Sequence, residues 1–168
     1  DALCRAQGVS FYDAVRANLP GAGGIEGIDL PAFFSSLRPS GAIAARHTVG
    51  LLDPVTAADA QGRIGDGLPE TLEEVVARYG HRWFKLKVGG SLKADLERLA
   101  AIASVLDRIE EPYRASLDGN EQYEDMAAVA ELWSAMSADA RLRRLVDSIA
   151  FIEQPVKRDR ALASRVEG

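Results

Sequence analysis

Two lysines and two acids carry the clearest chemical signal in this 168-residue chain. Lys85 and Lys87 sit two apart in the short run Trp83 to Val88. In a strand, that spacing sends both amines to one face, opposite Phe84, Leu86 and Val88. Strands of a parallel sheet are covered on both faces and are nearly all apolar. Two buried ammonium groups are therefore costly unless they meet negative charge. On the lysines alone, an edge strand with its amines in water fits equally well. Asp118 follows the run Tyr113 to Leu117, and Glu153 follows Ile149 to Ile152. Carboxyl ends of neighbouring parallel strands lie side by side, where parallel α/β folds place their sites. Two adjacent carboxylates repel and invite a divalent cation, and hard oxygen ligands without His or Cys favour Mg2+ over zinc.

The positioning elements are readable from hydrophobic spacing. Residues 1 to 19 read as two helical pieces broken at Gly8, with Ser10 and Asp13 spaced as a capping box. Asn18 to Gly41 is rich in Gly and Pro and reads as a connector, with Phe33, Phe34 and Leu37 as its only apolar anchors. Ile43 to Leu52 reads as a first strand, followed by a loop to Asp66-Gly67. Leu72, Val75, Val76 and Tyr79 recur at helical spacing. A second helix bears Leu92, Leu96, Leu99, Ala103 and Leu106 and ends before Pro112. A third carries Met126, Val129, Leu132, Trp133 and Met136, and a short polar helix spans Arg141 to Val146. Strands alternating with helices at a pitch of roughly 30 to 40 residues imply βαβ units and a parallel sheet. Four strands make half of an eightfold (β/α) barrel or a small doubly wound sheet. The turn Leu52-Asp53-Pro54 is not the Gly-rich phosphate loop of the latter.

Composition narrows the function classes. The chain is 47% apolar and 27% charged, the balance of a soluble globular protein. Its 20 Lys and Arg against 25 Asp and Glu give a net charge of -5, with a pI near 5.1. That argues against a nucleic-acid or anionic-membrane binder. No run approaches the roughly 18 apolar residues of a membrane span, and no secretory signal is visible. Cys4, the single cysteine, closes no intrachain disulfide and builds no thiolate zinc site. The expectation is a cytoplasmic protein. The start at Asp1 without Met reads as a piece of something longer.

Phe84-Lys85-Leu86-Lys87-Val88-Gly89, Leu117-Asp118-Gly119-Asn120-Glu121 and Phe151-Ile152-Glu153-Gln154-Pro155, in this order, resemble the barrel core of the enolase superfamily, mandelate racemase/muconate lactonizing branch. The resemblance covers roughly residues 43 to 160. It implies an α/β fold: the N-terminal half of a (β/α) TIM-type barrel with parallel strands, preceded by a helix left from an α+β capping domain. Residues 1–42 would be the end of that domain and the connector, and 43–168 the half barrel. It further implies Mg2+-dependent abstraction of a proton α to a carboxylate, giving an enediolate, as in racemases, epimerases, dehydratases and cycloisomerases. Asp118 and Glu153 would be two of three metal carboxylates and Lys87 the general base. Lys85 would depress the pKa of Lys87 and contact the substrate carboxylate, and Asn120 would line the site. The third carboxylate and the opposing base would come from later strands, so the chain alone is expected to be inactive. The partner would be a small carboxylate substrate, with a homo-oligomer or the remainder of the same enzyme completing the assembly.

Two rival readings use the same residues differently. Lys85 or Lys87 could form a Schiff base in a metal-independent barrel lyase. A non-catalytic half barrel would leave the apolar face of its strands uncovered and two edges open. Elsewhere, His47 reads as a buried or rim residue, with substrate contact the other option, and His81 as solvent-facing. Gly21 to Gly24 and Gly89-Gly90 are turns rather than phosphate loops. Glu121, Glu124 and Asp125 read as a charged helix start, and Trp83 and Trp133 as core.

Overall fold

A computed structural model describes residues 1–161, so 162–168, the tail of the expected half barrel, lie outside the described residues. The chain divides into two compact units, 1–43 and 44 onward. The first holds α1 (Ala2–Gln7), α2 (Phe11–Arg16) and α3 (Leu30–Ser36). Gly8 ends α1 in the left-handed region at φ 63°, and Ser10 Oγ accepts the Asp13 N–H at 3.0 Å to cap α2. Helix α3 falls inside what the sequence reads as connector. Asp29 accepts the Ala32 N–H and Pro31 occupies the first turn, both favourable at a helix start. The flanking glycines hide that signal, and Phe33 is half exposed rather than an anchor.

The second unit runs β1 (Arg46–Val49), α4 (Leu72–Tyr79), β2 (Trp83–Lys87), α5 (Leu92–Leu106), β3 (Arg114–Asp118), α6 (Met126–Ala138), a 3-10 turn (Ala140–Leu142), α7 (Arg143–Ser148), β4 (Ile149–Glu153) and α8 (Arg158–Ala161). Its four strands form one sheet, ordered β1-β2-β3-β4 and parallel throughout. The first strand is shorter than hydrophobicity suggests, because Ile43 and Leu52 are almost wholly exposed. Thr71 caps α4 by accepting the Glu74 N–H, and Asp125 caps α6 by accepting that of Ala128. The expected charged start of α6 is thus a cap formed by Asp125, with Glu121 paired instead to Arg158.

Period-2 alternation separates the two faces of the sheet. Phe84, Leu86, Ala115 and Leu117 are buried in one core with Leu99, Ile102 and Leu106 of α5, Leu132 and Met136 of α6, and Leu145 of α7. Each such large side chain contributes about 1.5–3 kcal/mol of burial. The opposite face carries Arg46, Thr48, Lys85, Lys87, Ser116, Asp118 and Glu153, with Trp83 and Phe151 half exposed. The half barrel therefore uncovers its polar face, not the apolar face expected. Trp83 lies on the lysine side of the sheet and Trp133 is 36% exposed, so neither tryptophan is core. Among the described residues, the outer edges of β1 and β4 pair with no further strand.

Candidate active site

Strand register brings the charged residues together. Lys87, Asp118 and Glu153 occupy one row across β2, β3 and β4, at the carboxyl ends of all three. Lys85 lies one row below, beside Ser116. A shift between Ala115 and Ser116 skips Ala150 on β4, so that Phe151 faces Ser116 and Glu153 reaches the row of Asp118. Without that bulge, Glu153 would leave the opposite face of the sheet.

All five residues singled out from the sequence converge. Lys85 Nζ lies 2.6 Å from Asp118 Oδ2 and 2.7 Å from Glu153 Oε1. Lys87 Nζ donates to the same Asp118 Oδ2 at 2.6 Å and to Asn120 Oδ1 at 2.8 Å. The Asn120 N–H donates to Asp118 Oδ1 at 2.9 Å. Asn120 makes both contacts from a left-handed backbone at φ 45°, and Gln154, directly after Glu153, is at φ 44°. Such strain concentrates at functional sites, where surrounding contacts hold it. The Asp118 side chain is fully buried, whereas the lysines and Glu153 stay about one-fifth to one-quarter open.

Burial alone would push the Asp118 carboxyl upward. The Lys85 and Lys87 ammoniums and the Asn120 N–H outweigh it and bring the carboxyl down to about 2. Lys85 shifts upward, held charged by Asp118 and then Glu153 against desolvation.

Sequence reading missed Arg46 and Ser116. Arg46 Nη1 donates to the buried Ser116 Oγ at 2.9 Å, and Nη2 lies 3.6 Å from Glu153 Oε1. Three cationic side chains thus face two carboxylates, leaving the mouth positive. Side-chain alternation in β1, which places Arg46 on the lysine face, was the available signal. His47 lies on the other face of β1, beside Val49, Leu72 and Val75 and away from the charged face. Its ring stacks on His81 at 5.5 Å, and His81 is partly buried rather than solvent-facing.

The donor chemistry fits part of a hard-cation site. Asp118 and Glu153 offer carboxylate oxygens around one ammonium, and Glu153 Oε1 is buried with no directed hydrogen bond. Among the described residues, no third His, Cys, Asp or Glu joins them as a metal-binding group. Nor is any described helix long and apolar enough to cross a membrane.

Residues 67–167 match the enolase C-terminal domain-like family. No curated protein and no solved structure matches the chain.

Proposed function

This chain belongs to the enolase C-terminal domain-like family, and on that premise we propose that its charged mouth removes the proton α to a carboxylate of a small substrate, with Mg2+ as cofactor. The carrying observation is the single Lys85 ammonium held between Asp118 and Glu153, with Lys87 on the same Asp118 oxygen. It supports one place where cationic charge joins two acids from neighbouring strands, beside a second amine.

Asp118 and Glu153 would hold the ion, which supplies Lewis-acid stabilisation where negative charge develops on the substrate carboxylate. Lys87 Nζ accepts the α proton. Asp118, which holds the Lys87 amine at 2.6 Å, would turn its charge to the ion when the ion is bound and so free the amine to act as a base. Asn120 Oδ1, 2.8 Å from Lys87 Nζ, orients the amine. Lys85 and the net positive mouth receive the substrate carboxylate. The reaction type is that of a mandelate racemase/muconate lactonizing-like isomerase or lyase. Further strands, from the remainder of the same enzyme or another copy, would supply the third acid and the opposing base. Residues 1–42 would end a capping domain, and the setting proposed for the enzyme is the cytoplasm.

The test is solvent exchange. In the full-length protein in D2O, NMR should show Mg2+-dependent deuteration α to the carboxylate of a substrate acid. Asp118→Asn, Glu153→Gln and Lys87→Ala should each abolish it. Retained exchange in the acid variants refutes their role, and a borohydride-trapped adduct insensitive to chelator establishes the lyase instead.

A further inference from the structure

Beneath Lys85, one arginine reaches across the sheet. Arg46 is the first residue of β1 and lies outside the matched residues 67–167. Its guanidinium donates to Ser116 on β3, approaches Glu153 on β4 at 3.6 Å and lies over the Phe151 ring at 6.0 Å. Ser116 is 2% exposed, so this anchor is fixed in the sheet. Glu153 Oε1 is buried, with Lys85 Nζ at 2.7 Å and Arg46 Nη2 at 3.6 Å as the cations that face it. A planar guanidinium can address a hydroxyl, a carboxylate and a ring face together, whereas an ammonium on a flexible stem is a single point charge.

We propose that Arg46 is the positioning residue for Glu153, and that its fork, anchored on Ser116 and Phe151, holds the carboxylate in the row of Asp118, where the two acids would share a divalent cation. The proposal rests on reading the mouth as a cation site. It makes Ser116 and Phe151, which touch no reacting atom, supports of the metal-binding acid. A purely electrostatic role gives the opposite expectation, because a positive charge near Glu153 repels a second cation.

Titration of the full chain with Mn2+, followed by electron paramagnetic resonance, separates the two. Arg46→Met should weaken Mn2+ binding about tenfold, the usual scale for residues that orient a metal ligand. Ser116→Ala keeps the Arg46 charge but removes its anchor, and should weaken binding in the same direction. Arg46→Lys should recover only part of the affinity. Unchanged or tighter Mn2+ binding in Arg46→Met or Ser116→Ala overturns the proposal. Thermal unfolding without metal gives a second readout: the drop in Tm from Arg46→Met should shrink when Glu153 is already Gln. Equal drops in both backgrounds overturn the Arg46–Glu153 link. Coupled drops in a chain that takes up no Mn2+ uphold Arg46 as the holder of Glu153 and overturn the cation reading alone.

Discussion

The Lys85 ammonium and the Asp118 carboxylate meet at 2.6 Å although 33 positions of chain separate them, because β2 and β3 are adjacent and in register. The contact compensates a carboxylate with no solvent exposure. Removing one partner of a buried pair exposes the desolvation cost of the other. Lys87 and the Asn120 N–H remain on Asp118, so Lys85→Met should cost only about 1–3 kcal/mol. The same substitution removes the cation that competes for Asp118 and Glu153, so divalent binding should tighten. Urea unfolding with and without Mg2+ measures both. A variant that loses stability and also loses Mg2+ stabilisation would contradict the competition.

Asp118 also sets an acid limit on stability. Its carboxyl stands at about 2 in the folded chain against an ordinary value of 3.8. A depressed acid stabilises the fold fully above its unfolded value, and the contribution disappears as pH falls from about 4 through 2. The loss is on the order of 2 kcal/mol. Unfolding curves between pH 6 and 2 should show that loss in the wild type, and a smaller one in Asp118→Asn.

His47 works in a different window. Burial lowers its pKa, the neighbouring His81 lowers it further, and Asp53 opposes both. The unfolded chain therefore takes up a proton first as pH drops below about 6.5. Stability is unaffected above that pH and declines below it, until the folded imidazole is itself protonated. An NMR titration should place the His47 midpoint below 6.5, and His81→Ala should move it upward. A His47 midpoint above 6.5 would contradict the stacked geometry.

The legible part of this molecule is what period and adjacency encode. Lys-x-Lys fixes one face of a strand, and apolar runs ending in Asp118 and Glu153 fix two strand ends. Neighbouring parallel strands then bring these residues together. The sequence does not show which face the helices cover, since both lysines and Trp83 alternate with Phe84 and Leu86 equally well in either orientation. Arg46 escapes notice because its partners, Ser116 and Glu153, lie two and three strands away and depend on a bulge at Ala150. Helix α3 escapes for a local reason: its capping Asp29 and its Pro31 are submerged in a segment whose glycines suggest only turns.

Gly119 tests how tightly the mouth is built. A methyl group there would stand 2.8 Å from Pro155 Cα and 3.1 Å from Gln154 O, both backbone atoms that cannot rotate away. The Gly119 N–H donates to the Glu153 carbonyl at 3.0 Å, so the residue joins the ends of β3 and β4 directly after Asp118. Gly119→Ala must therefore push the β4 end outward, carrying Glu153 from Asp118 and Lys85. Overpacking of this kind costs about 1–3 kcal/mol. The expected result is a lower Tm together with weaker Mn2+ binding. Gly23→Ala, where added carbon meets nothing within 4 Å, should change neither. A Gly119→Ala chain that loses stability yet binds Mn2+ as tightly as wild type would show that Asp118 and Glu153 do not need their present spacing to act together.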